Sequence, residues 1–76
     1  MKAYVFVNVA PGKSLDVVAQ LRGIEGVESA DTCWGLPDII ARVEAADLKA
    51  LQDFLLNRIQ KVAGVNQTDT HIVWEA

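Results

Sequence analysis

The sequence predicts an α+β domain with the element order β-α-β-β-α-β, and three observations carry that reading. Apolar residues recur first with the period of a strand, then of a helix, and the alternation runs twice through the chain. An internal echo accompanies it: Ile24-Glu25-Gly26-Val27 returns as Val62-Ala63-Gly64-Val65, and Asp31-Thr32 as Asp69-Thr70, each 38 positions later. Between the halves, Gly35-Leu36-Pro37-Asp38 separates two strand-like runs, as a hairpin loop would. Together these describe the ferredoxin-like split βαβ arrangement: an antiparallel four-stranded sheet with two helices on one face.

Each element has its own grounds. In the first strand, Ala3 to Val9, Val5, Val7 and Val9 fall on one face and Tyr4 and Phe6 on the other. Both faces are apolar, whereas a half-solvated strand alternates cleanly. Ala10-Pro11-Gly12-Lys13 is a loop by its Pro-Gly pair. Ser14 is the expected N-cap of a short amphipathic helix carrying Leu15, Val18, Ala19 and Leu21 or Arg22, with Asp16 favourably placed in its first turn. Gly23 and Gly26 bracket its end. Two strands follow, Val27 to Trp34 and Asp38 to Glu44. Asp47 caps a longer helix whose stripe is Leu48, Leu51, Leu55, Ile59 and Val62, widened for packing by Phe54 and Leu56. Gly64 stops it, and the last strand runs Asn66 to Trp74.

Seventy-six residues make one domain, 1–76, too short to bury a large core: roughly 60% of its unfolded surface. Yet 51% of the residues are hydrophobic and only 22% charged. Domains of this size are often stabilised by disulfides, a metal or oligomerisation. Cys33 is the only cysteine and His71 the only histidine, so neither an internal disulfide nor a tetrahedral zinc site can be assembled from them. Oligomerisation remains. Helices can cover one face of so small a sheet, which leaves Tyr4 and Phe6 for a second subunit.

The net charge of −3 and the lack of basic clusters argue against nucleic-acid binding, which leans on a positive footprint. No apolar run approaches the ~18 residues of a spanning helix, and the first residues do not read as a signal peptide. A soluble cytoplasmic protein without membrane association is the expectation.

Chemistry has few candidates. Nucleophilic catalysis would pair Cys33 or a serine with His71, but these two lie on different strands, and a lone cysteine is expected as a buried apolar filler. Asp31, Asp38 and Asp69 could supply paired carboxylates, though nothing in the sequence makes them converge. No phosphate-cradling glycine loop, metal motif or cofactor motif is present, so no metal and no cofactor is expected. Two places suit a small polar ligand instead. The stiff turn at Gly35–Asp38 could present backbone donors beside one carboxylate, or Asp38 could be an ordinary turn residue bonding nearby N–H groups. Thr68 and Thr70, two apart in a strand, present hydroxyls on one face, or are simply threonines that suit a strand.

These residues together resemble the effector-binding domain of the leucine-responsive/asparagine regulator family (Lrp/AsnC), also called the RAM domain. The resemblance rests on the opening strand with its Pro-Gly loop, I-x-G-V at Ile24–Val27, G-x-x-D at Gly35–Asp38 with the apolar strand after it, and G-V-x-x-T-x-T at Gly64–Thr70 followed by Ile72-Val73. It covers essentially the whole chain. It implies a dimeric α/β barrel-like assembly whose sheets pack face to face over Tyr4 and Phe6, with dimers associating into rings of eight or ten chains. It further implies an amino acid or similar small effector bound between dimers. Gly35 and its neighbours would offer N–H groups to the effector carboxylate, Asp38 would meet the ammonium, Thr68 and Thr70 would line the pocket, and Trp34 and Leu36 would shape its side-chain end. Charge-assisted bonds to both ends of a zwitterion explain why such a site wants a carboxylate beside free donors.

Two departures are visible. The family's regulators carry an N-terminal helix-turn-helix, whereas here the first strand begins at Ala3; the sequence therefore resembles stand-alone members, acting on transcription through a full-length regulator as partner. Pro37 stands where the family often has an aromatic residue, which removes an effector contact. Against this reading stands an enzyme of the dimeric α+β barrel group, a cofactor-free monooxygenase or isomerase, which shares the topology. A purely structural oligomer is the third possibility.

Overall fold

The computed structural model describes residues 1–74. Its elements are β1 (Lys2–Val9), α1 (Ser14–Arg22), β2 (Val27–Thr32), β3 (Ile39–Glu44), α2 (Leu48–Phe54) continued by a π-helical turn (Leu55–Ile59), and β4 (Val65–Ile72). The four strands form one antiparallel sheet in the order β2-β3-β1-β4, so β1 and β3 are central and β2 and β4 are edges. This is the expected βαββαβ fold, with the second strand shorter than its sequence suggests.

Register decides which residues share a face. Ala3, Val5 and Val7 of β1 lie opposite Val43, Ala41 and Ile39 of β3, and all six are buried. With Ala30 of β2 they form the sheet side of the core, closed from above by Val17, Val18, Leu21, Leu51 and Ile59. The other face of β1 carries Tyr4, Phe6 and Asn8, opposite Arg42 and Ile40 on β3 and His71, Asp69 and Gln67 on β4. Among the described residues no helix covers this face. Tyr4 is exposed and Phe6 half-buried, its ring 4.8 Å from the His71 imidazole.

The internal echo is a structural repeat. Gly26 and Gly64 adopt φ of +99° and +98°, a conformation L side chains resist. Each follows a helix and starts an edge strand, and each carbonyl accepts from the far end of a central strand: Glu44 N–H to Gly26 O at 3.0 Å, Ala10 N–H to Gly64 O at 2.8 Å. The helix of the opposite half closes over each. A Cβ on Gly26 would stand 2.9 Å from Phe54 Cε2, and one on Gly64 3.0 Å from Val17 Cγ2.

Several local expectations are corrected. Ser14 begins α1 and makes no cap hydrogen bond; Lys13 occupies the cap position. Leu15 and Ala19 point to solvent, and Val17 takes the buried place, because the stripe that meets the sheet is Val17, Val18 and Leu21. Asp47 caps α2 as expected, accepting from Ala50 N–H at 2.8 Å. Beyond Phe54 the helix widens, with Gln60 N–H donating to Leu55 O, five residues back. Phe54 packs against the core, while Leu48 and Leu56 of the anticipated apolar set are exposed.

Candidate functional site

The hairpin loop between β2 and β3 is closed by Cys33 N–H donating to Asp38 O at 2.8 Å. Inside it Gly35 takes φ +101°, the Leu36–Pro37 peptide is cis, and the N–H groups of Trp34, Gly35 and Leu36 bond to nothing among the described residues. The loop is thus a short arch holding three free donors.

Asp38 positions the arch. β1 and β3 bond through Ala3, Val5 and Val7, so the next N–H directed at β3 is that of Val9. By then β3 has not begun. Asp38 supplies the missing acceptor: Val9 N–H donates to its Oδ2 at 2.8 Å in a half-buried setting. The carboxylate therefore joins the arch to a strand 29 residues away, a longer reach than a turn residue bonding its neighbours. Its other oxygen makes no hydrogen bond among the described residues.

Where the arch meets the uncovered face of the sheet there is a cleft of about 240 Å³. It is lined by Leu36 and Pro37 from the arch, Phe6 and Asn8 from β1, and Gln67, Thr68 and Asp69 from β4. Asn8 Oδ1 is buried there without a hydrogen-bond partner, an acceptor waiting to be satisfied. The Asp69 carboxylate contacts His71 Nε2 at 3.1 Å. Leu36 with its free N–H, the free acceptor of Asn8, the Asp69 carboxylate and the Phe6 ring lie around one small concavity.

Of the anticipated ligand-binding residues, the cleft brings together Leu36 and Thr68. Trp34 points away, fully exposed, and with Ser14, Leu15, Thr32 and Cys33 borders a separate, more apolar hollow of about 350 Å³. Gly35 shapes the arch, and Asp38 anchors it. Thr68 and Thr70 face the helix layer, opposite Val7 and Val5, and the Thr68 hydroxyl accepts from Gln60 Nε2 at 3.2 Å. Thr70 lines neither hollow. Cys33 is exposed, not a core filler. Sequence reasoning missed Asn8, Gln67 and Asp69 as cleft residues. The one available signal was Asn8, a lone amide ending the otherwise aromatic Tyr4–Phe6 row.

The fold is a βαββαβ module with one small cleft of mixed polar and apolar lining beside its hairpin arch. Comparison with known proteins sharpens that class. The family model of the Lrp/AsnC ligand binding domain matches residues 2–76, and the chain belongs to that family. An uncharacterized HTH-type transcriptional regulator of Pyrococcus furiosus is 31% identical over 71 residues, which is 93% of this chain and 48% of that protein. A counterpart in Pyrococcus abyssi is 30% identical, covering 45% of that protein, so the chain spans about half the length of the curated relatives it matches. Among solved structures, FFRP-DM1 superimposes with a TM-score of 0.91 at 30% identity, over 96% of this chain and 97% of that one. The structure of E. coli AsnC also gives 0.91, at 24% identity, over 99% of this chain and 51% of that one; it speaks for the fold alone.

Proposed function

We propose that this chain is an effector-binding regulatory module that takes an amino acid or similar zwitterion in the cleft beneath the Gly35–Asp38 arch. The observation that carries the reading is the buried, partnerless Asn8 Oδ1 in that cleft, beside an arch whose Trp34, Gly35 and Leu36 N–H groups bond to nothing among the described residues, Leu36 being the one of the three that lines the cleft. The donors suit a carboxylate. Asn8 Oδ1, the Asp69 carboxylate and the free oxygen of Asp38 suit an ammonium. Leu36, Pro37 and Phe6 offer apolar contact to a side chain. Family membership supports the role, as does a structural neighbour, a Neisseria meningitidis transcriptional regulator solved as its L-Met complex, at TM-score 0.86 and 20% identity.

In this reading the uncovered sheet face is the dimer surface, with Tyr4 and Phe6 at its centre, and further association of dimers completes the cleft and gives Trp34 and Thr70 their place beside it. The relatives' character as transcriptional regulators favours binding over turnover, and supports action through a full-length regulator as partner. Titration calorimetry with each standard amino acid, paired with light scattering, tests it. The expectation is saturable binding of one or a few, weakened at least tenfold by Asn8→Ala. Binding by none, or binding indifferent to Asn8→Ala, refutes the site.

A further inference from the structure

Asp69 takes part in two arrangements at once. It lines the cleft beneath the arch, and its Oδ2 lies 3.1 Å from Nε2 of His71, which is not among the cleft's lining residues. The two stand two apart on β4, so both side chains share the uncovered face of the sheet. Register sets Asp69 opposite Phe6 of β1 and His71 opposite Tyr4. The imidazole therefore sits one step along the strand from the cleft, its ring centroid 4.8 Å from that of Phe6. Asp69 joins the two.

Few charged or titratable groups surround His71. On β1, Tyr4 stands directly opposite, and Lys2 lies two residues along on the same face. Beyond them β3 presents Arg42 and Glu44. Arg42 is already engaged, its Nε donating to Glu28 of β2 at 3.0 Å. Because β4 is an edge strand, no further strand of the sheet flanks His71 on its other side. Among the described residues Asp69 is the single hydrogen-bonding partner of the His71 ring, and His71 that of the Asp69 carboxylate.

An ionised carboxylate only accepts, so the histidine nitrogen facing it donates in either charge state of the ring. With the ring neutral, that bond holds Asp69 in place and leaves its full negative charge to the cleft. With the ring protonated, the same bond brings a cation that offsets this charge and repels a second cation beside it. Imidazole makes that change between about pH 5 and 8. We infer that the His71 proton and an effector ammonium compete for the Asp69 carboxylate, so that acidification expels effector from the cleft. The inference rests on the effector reading of the cleft and adds its regulation. His71 is a positioning residue in it, acting through Asp69. Coupling between two ligands is reciprocal, so effector binding must expel the proton in turn.

Calorimetry with each standard amino acid, run at about pH 7.5 and again at about pH 5.5, spans that change and tests the competition. Any amino acid that binds should bind about threefold or more weakly at the lower pH, the size expected of an exposed charge that salt screens. Between the two pH values its binding should release protons, so the measured heat should follow the ionisation enthalpy of the buffer. His71→Gln, which keeps a donor for Asp69 but no titratable proton, should abolish the pH dependence and the proton release together. Binding equally tight at both pH values overturns the competition and leaves the effector site standing. So does a pH dependence that survives His71→Gln, or a mass by light scattering that changes between the two conditions. Binding of no amino acid at either pH overturns both.

Discussion

Val9 is the last residue of β1 whose N–H points at β3, and position 37, where the register would seek its partner, is a proline inside the arch. Asp38 resolves this with its side chain, so the residue that sequence marks as a ligand contact also has a structural duty. The two roles separate by substitution. Asp38→Ala strands a half-buried N–H and should lower stability by about 1–3 kcal/mol in urea unfolding. Asp38→Asn keeps an acceptor for Val9 and should retain most of that stability. If the charge also serves an effector ammonium, the Asn variant loses affinity while its unfolding midpoint stays near the parent's. Asp38 was legible as important because Gly and Pro single out its turn. Its partner was not, since nothing in a local pattern connects residue 38 with residue 9. The same holds for the cleft: Asn8 and Gln67 become neighbours only through register, which is set by the whole sheet.

Helix ends show how far local rules reach. Asp47 sits before Leu48 with its carboxylate on Ala50 N–H, and the expectation from sequence holds. Ser14 has the right chemistry but lies one position inside α1, and its hydroxyl makes no cap hydrogen bond there. Asp47→Ala should therefore cost about 1 kcal/mol, while Ser14→Ala should stay within about 0.5 kcal/mol, as surface changes do. Chemical denaturation of the two variants side by side checks the contrast; equal losses would mean the caps are misassigned. Periodicity placed both helices because burial against a sheet demands it. It chose wrongly between Leu15 and Val17, since both lie near the apolar face and the sheet's contour decides which is covered. The π-helical turn was invisible. No glycine or proline precedes it, and the Leu51, Leu55, Ile59 spacing reads as ordinary α-helix.

For the molecule as a whole, the exposed side of the sheet is the feature that composition foretold. Over half the residues are hydrophobic, yet one layer of helices buries a core of small and medium side chains on one side only. Phe6→Glu should abolish association through the sheet face, because it buries an unpaired charge there at a cost of several kcal/mol. Light scattering that still finds that dimer would exclude the face-to-face arrangement. The order of elements was legible because each is long enough to repeat its own period, and the repeat of 38 residues fixed the symmetry. The contact of Arg22 Nε with Ala30 O on the β2 edge was not, because it forms only once helix and strand are packed together.

The interlocking of the repeat also governs how the protein opens. The carbonyls of Gly26 and Gly64 are satisfied by amides from the other half, and each glycine sits under the other half's helix. Neither half can come loose while the other stays intact without abandoning both contacts. Partial opening is thereby penalised, and the amide protons of Ala10 and Glu44 should exchange with solvent only when the entire chain unfolds.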